Sequence, residues 1–279
     1  MKPAAFEYVR ARTIDEALSL LSDQAVEDSK IYAGGQSLGP MLNLRLARPG
    51  RLVDIRHVPE LRTFEADTKR AVIGALWTHA EIEDGILNDP TMGFMRFVAS
   101  GIAYRAVRNR GTMGGSLAHA DPAADWVTAT TVLNADMIVQ SANGKKSVVP
   151  ASEFIEGAFM PRLARHDILI AIRVPRLHEK TKWAYEKVCR KTGGFAKAIG
   201  AAIIDPKSGL CRVVAGAVQG RPILLERCSA ALRDSGAESA IRCADDEVMS
   251  VLPYLSKPDC QVLCAAVRRS LANLAKQDM

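Results

Sequence analysis

Two short segments combine a glycine pair with hydroxyl residues: Ala33-Gly34-Gly35-Gln36-Ser37 and Thr112-Met113-Gly114-Gly115-Ser116. A glycine pair lets main-chain N–H groups turn outward into a concave nest. Such a nest favours a phosphate, above all beside the N-terminus of a helix. One segment alone is a weak signal. Two segments, each leading into helical sequence, suit the two phosphates of a dinucleotide.

Signatures of other phosphate-binding and hydrolytic sites are missing from the sequence. It contains no G-x-x-x-x-G-K-[ST], no G-x-G-x-x-G after the first predicted strand, no H-E-x-x-H and no G-x-S-x-G. P-loop, Rossmann, metallohydrolase and charge-relay chemistry therefore have little support. Four arginines lie close to the glycine segments in sequence, and they either raise the local positive potential or form a solvated basic face: Arg45, Arg48, Arg108 and Arg110.

Composition describes an ordinary globular chain. Of its 279 residues 48% are hydrophobic. The formal net charge is +6, but the basic residues are dispersed and interleaved with 31 acidic residues, a pattern that does not favour a nucleic-acid partner. Residues 1–10 lack the apolar stretch of a secretion signal, and no run reaches the ~18 apolar residues of a membrane span. The six cysteines stand singly, without metal-site spacing, so we expect idle thiols and a cytoplasmic protein.

The elements that must position the two segments follow from hydrophobic periodicity and capping signals. A short strand, Ile31–Ala33, leads into the first segment, and a helix is predicted over Ser37–Ala47. The second segment falls within a predicted long loop, Arg108–Pro122. Asp125 is predicted to cap the helix that follows. Both segments are thus expected in loops that precede helices.

Changes in composition and pattern divide the chain into three predicted parts. These are an N-terminal subdomain over 1–56, a second subdomain over 57–176 and a C-terminal α+β domain over 177–279. Polar and charged residues between Pro175 and Lys182 mark the last boundary. The C-terminal part reads as three strands followed by helices.

Four longer stretches resemble one known family. Ala33–Leu38, continued by Pro40–Ala47, is similar to the first FAD-pyrophosphate loop of the molybdenum hydroxylases, and Val107–Asp125 is similar to the second. The resemblance extends to Ile168–Pro175 and Tyr185–Lys191 and covers essentially the whole chain. The chain is identified as similar to the separate, medium-sized FAD subunits of the xanthine dehydrogenase and aerobic carbon monoxide dehydrogenase family.

That resemblance implies a fold, a function and partners. The fold is α+β: a two-subdomain FAD-binding α/β fold of the PCMH type, followed by a C-terminal three-stranded sheet with helices. The implied function is electron transfer on FAD. A large partner carries the molybdenum cofactor, a small partner carries two [2Fe–2S] clusters, and the trimer is expected to double. An external acceptor takes the electrons, and this chain itself holds no metal and no hydroxylating residue.

The resemblance also implies roles for single residues. Asp125 would accept hydroxyls of the flavin's sugar-alcohol chain, and Leu169 would contact the adenine or ribose. Lys187 would lie near the flavin ring, and Phe195 would cover the ring. Three of these residues also have a structural interpretation: Asp125 as a helix cap, Leu169 as a core residue and Lys187 as an exposed residue of a strand. The residues implied at the pyrophosphate are Ala33, Gly34, Gly35, Gln36, Ser37, Leu38, Thr112, Met113, Gly114, Gly115 and Ser116.

One departure and two alternatives remain. Relatives commonly carry Gly-Asp-Tyr or Gly-Asp-Phe where this chain has Gly193-Gly194-Phe195, so an acid is lost at Gly194. A stand-alone FAD reductase on the same fold would need its own proton donor, and the sequence offers no clear candidate. A basic nucleic-acid-binding module is disfavoured by an aromatic content of only 5%.

Overall fold

The computed structural model describes residues 2–278. Within that range no helix is both long and apolar enough to cross a membrane. The strands are β1 (Glu7–Arg10), β2 (Ser29–Tyr32), β3 (Arg51–Asp54), β4 (Phe64–Ala66), β5 (Arg70–Gly74), β6 (Asp136–Gln140), β7 (Lys146–Pro150), β8 (Ile155–Gly157), β9 (Met160–Pro161), β10 (Ile168–Pro175), β11 (Lys182–Cys189), β12 (Ala196–Asp205), β13 (Leu210–Gly216) and β14 (Ile223–Leu224).

Helices separate and cover these strands. Two of the helices are 3₁₀ turns, at Pro59–Arg62 and Lys276–Asp278. The α-helices are α1 (Ile14–Ser22), α2 (Leu38–Asn43), α3 (His79–Glu83), α4 (Phe94–Ser100), α5 (Arg105–Arg108), α6 (Met113–His119), α7 (Asp125–Val132), α8 (Ala151–Phe154), α9 (Glu226–Ser235), α10 (Ala237–Val251) and α11 (Lys257–Ala275).

The first sheet is small and parallel, in the order β1-β3-β2. Helix α1 connects β1 to β2 and buries Ile14, Ala17, Leu18 and Leu21, whose spacing forms one helical face. Every residue of β3 is buried. Strand β2 ends at Tyr32, so the first glycine segment leaves the carboxyl edge of this sheet, where open parallel sheets place ligands.

The second sheet is antiparallel in the order β4-β5-β10-β6-β7, with β10 at its centre. The β10–β6 register shifts between Leu169 and Ala171, as in a β-bulge. Helix α7, buried along its whole length, packs between this part of the chain and strands β12 and β13. One hydrophobic core therefore extends from the second sheet to the third.

The third sheet is an antiparallel meander, β11-β12-β13-β14, with α9, α10 and α11 packed against it. Helix α11 lies so close to β12 that a Cβ at Gly200 would come within 2.4 Å of the Ala266 oxygen. The α+β fold class is confirmed. The C-terminal sheet has one strand more than predicted, because the chain pairs again with β13 directly after Pro222. The three-domain division stays a prediction.

Local predictions around the glycine segments were wrong in three places. Helix α2 ends at Asn43 because Arg45 takes a left-handed φ of 58°, and Leu46 N–H closes the end on the Met41 oxygen. The predicted loop Arg108–Pro122 contains α6, so Gly114 and Gly115 are helical. Asp125 is the first residue of α7 rather than its cap, which is Ala124.

Candidate cofactor-binding site

One cavity of about 680 Å³ brings the predicted site residues together, a volume typical of cofactor sites. It is lined from the first sheet, from α6 and the start of α7, and from the C-terminal sheet. Every residue implied by the resemblance lines it except Met113. The Met113 side chain is fully buried in the hydrophobic core and does not line the cavity, and its role at the cofactor stays a prediction.

The first glycine segment presents unused backbone donors to the cavity. Among residues 2–278, the five consecutive N–H groups from Gly34 to Leu38 donate no hydrogen bond. Gly35 has a φ of 72°, a left-handed conformation that glycine adopts without strain. Since a buried or ligand-facing N–H needs an acceptor, five of them in sequence form a preorganised anion nest.

Gly34 has a second role, which concerns packing between the two segments. A Cβ at Gly34 would lie 2.3 Å from the backbone oxygen of Arg110 and 2.8 Å from the Gly111 Cα. Only a glycine can bring the first segment this close to the approach of the second. The absent side chain therefore serves contact between the two segments.

The second glycine segment uses its own donors internally. Met113 N–H donates to the Trp77 oxygen and Gly114 N–H to the Ala75 oxygen, both at 2.9 Å. Gly115 N–H donates to Thr112 Oγ1 at 3.0 Å, and Ser116 N–H to the Thr112 oxygen at 3.0 Å. A Cβ at Gly114 would meet the Ala75 side chain at 2.4 Å. What remains for a ligand here is the Thr112 N–H and the hydroxyl groups of Thr112 and Ser116.

The four arginines near the segments do not line the cavity. Arg108 binds the Glu83 carboxylate at 2.7 Å and donates to two backbone oxygens, so its role is structural. Arg45 and Arg48 donate to the backbone oxygens of Lys2 and Arg45. Arg110 lines a separate, smaller pocket with Arg56 and Arg62. None of the four lines the cavity, and of the four only Arg108 has a charge that acts on a cavity-lining residue within residues 2–278, His79.

A buried ion pair lies on the cavity wall between α7 and β11. Lys187 Nζ donates to Asp125 Oδ2 at 2.7 Å and to the Gly101 oxygen at 3.2 Å. Tyr185 donates its hydroxyl to Asp125 Oδ1 at 3.0 Å. Burial raises the pKa of Asp125, and the Lys187 charge opposes that rise. Burial, together with the Asp125 charge, also raises the pKa of Tyr185.

This arrangement corrects two readings of the sequence. Lys187 is not an exposed strand lysine, since only 13% of its side chain is exposed. Tyr185 was missed as part of the site. The signal was present, because Tyr185 and Lys187 are two apart on β11 and alternate residues of a strand share a face.

Two apolar residues lie at other parts of the cavity. Leu169, at the bulge of β10, is 5% exposed, so it belongs to the core and the cavity wall together. Phe195 is 75% exposed and follows a turn in which Gly193 has a φ of 75°. A Cβ at Gly193 would lie 2.8 Å from the Ala103 oxygen, which fixes this turn against the cavity rim.

Comparison with known proteins agrees with this geometry. Residues 4–177 match the family described as the FAD binding domain in molybdopterin dehydrogenase. The chain belongs to this family. The medium chain of carbon monoxide dehydrogenase from Hydrogenophaga pseudoflava is 38% identical over 209 residues, which is 75% of this chain and 72% of the relative.

Further relatives extend the match along the chain. Subunit alpha of the 6-hydroxypseudooxynicotine dehydrogenase complex from Paenarthrobacter nicotinovorans is 34% identical, over 93% of this chain and 82% of the relative. Among solved structures, carbon monoxide dehydrogenase from Hydrogenophaga pseudoflava superposes with a TM-score of 0.91 at 32% identity, covering 99% of both chains. The fold of this family therefore extends through the C-terminal domain.

FAD, the cofactor of this family, fits the residues present. The unused N–H groups from Gly34 to Leu38 suit a pyrophosphate, and the Thr112 and Ser116 hydroxyls stand across from them in the same cavity. Asp125 offers carboxylate oxygens at the wall.

Proposed function

We propose that this chain is the FAD-binding electron-transfer subunit of a heterotrimeric molybdenum-containing hydroxylase or dehydrogenase. A small partner with [2Fe–2S] clusters supplies electrons, and an external acceptor takes them. A large partner with the molybdenum cofactor oxidises the substrate. The assembly is a dimer of such trimers. Support comes from relatives that are named as medium chains or subunits of dehydrogenase complexes.

The observation that carries the proposal is the nest of five unused N–H groups, Gly34 to Leu38, within a large cavity of an FAD-binding family member. These donors lie at and before the N-terminus of α2, where unpaired N–H groups and the helix dipole favour an anion. No comparable nest is needed by a chain that binds only a partner protein.

When bound, FAD supplies the redox chemistry, and the protein supplies binding and electrostatics. The first segment holds the pyrophosphate by its N–H groups, and Thr112 and Ser116 add hydroxyl donors. Asp125 accepts hydroxyls of the flavin's sugar-alcohol chain, while Lys187 holds that carboxylate and places a cation near the ring. Leu169 lies against the adenine or ribose. Phe195 covers the ring at the rim.

A stand-alone FAD reductase on the same fold is less well supported. The relatives reported above belong by name to multi-chain dehydrogenases. The buried Tyr185 hydroxyl is committed to Asp125 and faces no free volume as a proton donor. We therefore retain the subunit function alone.

The decisive experiment is an absorption spectrum of the chain, purified alone and then with its natural partners, followed by identification of the released cofactor. Stoichiometric FAD in both preparations, with iron–sulfur absorbance only beside partners, is expected. A colourless chain that takes up no FAD even with its partners would refute the proposal. A Phe195→Ala variant with an unchanged flavin spectrum and acceptor rate would refute the assignment of that residue.

We also propose a cytoplasmic location. All six cysteines are free thiols, including Cys228 and Cys243 with sulfurs 3.5 Å apart, an arrangement that suits a reducing compartment. Cell fractionation against a cytoplasmic marker tests this.

A further inference from the structure

A buried histidine lies where the two glycine segments meet. His79 is the first residue of α3, is 4% exposed and lines the cavity. Its backbone N–H donates to the Gly111 oxygen at 2.9 Å. The Nε2 edge of its ring packs against Gly111, where an added Cβ would lie 2.8 Å from Nε2. Gly34 contacts the same Gly111 from the other segment, so the ring lies beneath the junction.

A second contact fixes which ring nitrogen carries the proton. The indole N–H of Trp126 donates to His79 Nδ1 at 3.0 Å. Because an indole nitrogen can only donate, Nδ1 is the acceptor, and a neutral imidazole then carries its hydrogen on Nε2. Burial first, and the Arg108 charge second, lower the pKa of His79 to about 3, so the ring is neutral at physiological pH.

The Nε2–H group is left without a partner. Among residues 2–278, no acceptor lies within hydrogen-bond distance of it. Since Nε2 is not among the fully buried atoms that lack a partner, it is open to the neighbouring cavity, from which an acceptor can reach it. An acceptor for the Nε2–H group therefore comes from the cavity.

The unused N–H groups from Gly34 to Leu38, beside the same junction, indicate that this acceptor group is an anion. The cations that line the cavity within residues 2–278 are Lys30 and Lys187, and Lys187 is already paired with Asp125. A pyrophosphate held between the two segments is thus stabilised mainly by neutral donors. A histidine locked as the Nε2–H tautomer adds such a donor without adding a charge.

We propose that His79 donates its Nε2–H to a phosphate oxygen of FAD at the junction of the two glycine segments, and that Trp126 positions it by holding the tautomer. This inference rests on the proposed FAD-binding function. His79 is then a cofactor-binding residue outside both glycine segments.

The test compares two variants of the full chain freed of cofactor. His79→Asn keeps an acceptor for the Trp126 indole and removes the donor at the Nε2 position, whereas His79→Gln keeps a donor there. FAD affinity is measured by flavin fluorescence, with riboflavin as the probe that lacks phosphate. We expect His79→Asn to weaken FAD binding about tenfold, as for loss of a hydrogen bond to a charged group. Riboflavin binding stays within about twofold.

Three results would overturn the inference while leaving the function intact. They are unchanged FAD affinity in His79→Asn, equal losses for FAD and riboflavin, and a loss in His79→Gln as large as in His79→Asn. If the wild-type chain binds no FAD, the proposed function itself has failed.

A measurement on the wild-type chain avoids any loss of folding in the variants. With ¹⁵N-labelled histidine, we expect one protonated Nε2 resonance that shifts on addition of FAD and not on addition of riboflavin. An Nε2 resonance assigned to His79 through its disappearance in His79→Gln, but insensitive to FAD, would overturn the inference.

Discussion

The two glycine segments share a sequence pattern but use it in opposite ways. In the first, the N–H groups from Gly34 to Leu38 are unused among the described residues, and these five residues line the cavity. In the second, the N–H groups from Met113 to Ser116 are all bound within the protein. The first segment is an anion nest, and the second is the capped start of a helix.

Part of the difference arises from the oxygens of Trp77 and Ala75, which accept from Met113 and Gly114 N–H, and part from the residue that precedes each helix. Thr112 is extended, with φ −109° and ψ 152°, and its side chain accepts from Gly115 N–H. Ser37 is in the αR region and makes no side-chain cap. A good N-cap satisfies the donors that a phosphate would otherwise take, so the better-capped helix offers less to an anion.

The largest effect is expected where the two segments touch. Gly34→Ala places a methyl group 2.3 Å from a backbone oxygen that cannot yield without moving the second segment. We expect a loss of about 3 kcal/mol in the free energy of unfolding, the upper range for overpacking. FAD uptake is expected to be lost with it. Urea unfolding and flavin content measure the two.

Gly39→Ala is the matched control for that change. Gly39 lies in α2, and an added Cβ would meet nothing within 4 Å. Because alanine favours a helix over glycine, this variant should gain about 0.5–1 kcal/mol and retain FAD. Equal behaviour of the two variants would show that the segments do not depend on contact with each other.

The next effect concerns the junction and depends on pH. Because the pKa of His79 in the folded chain is about 3, the unfolded chain binds more protons than the folded chain between about pH 3 and 6.5. The contribution of neutral His79 to the free energy of unfolding therefore has its full value above pH 6.5 and decreases as the pH falls. Between pH 7 and 4.5 the loss amounts to ~2–3 kcal/mol.

His79→Asn isolates this contribution, since other groups titrate equally in both proteins. The variant starts less stable at pH 7, and the gap to the wild type should narrow by that amount at pH 4.5. Chemical unfolding at both pH values measures it. A constant gap would mean that His79 titrates normally and that the junction is open to water.

Sequence patterns predicted the family and the α+β fold, and every site residue named from the sequence except Met113 lines the cavity, because long segments such as Val107–Asp125 carry specific signals. They did not predict the difference between the segments. Gly114 N–H donates to the oxygen of Ala75, which is distant in sequence. Gly34 packs against the backbone of Arg110, which lies on another loop. Likewise, the tautomer of His79 is set by its hydrogen bond with Trp126, which is 47 positions away in sequence.

A smaller effect on stability should separate the two N-caps. Thr112→Ala leaves Gly115 N–H without its acceptor in a partly buried position, which costs about 1 kcal/mol. Ser37→Ala removes no cap bond and should be nearly neutral. Thr112→Ser keeps the hydroxyl and should restore most of the loss. Thermal unfolding of the cofactor-free chain compares the three, and equal costs for Thr112→Ala and Ser37→Ala would contradict the assigned capping difference.

The smallest effect concerns FAD affinity. Because Thr112 N–H is the one unused backbone donor of the second segment among residues 2–278, the segment's hydroxyls carry most of the contact, and Ser116→Ala should weaken FAD about threefold to tenfold, as for loss of one hydrogen bond. Ser37→Ala should change it by about twofold at most, because five backbone donors surround that hydroxyl. Flavin fluorescence titrations give both values, with riboflavin as the control for contacts outside the pyrophosphate. A larger loss for Ser37→Ala would mean that side chains, rather than the backbone, bind the anion in the first segment, and the contrast between the two segments would then disappear.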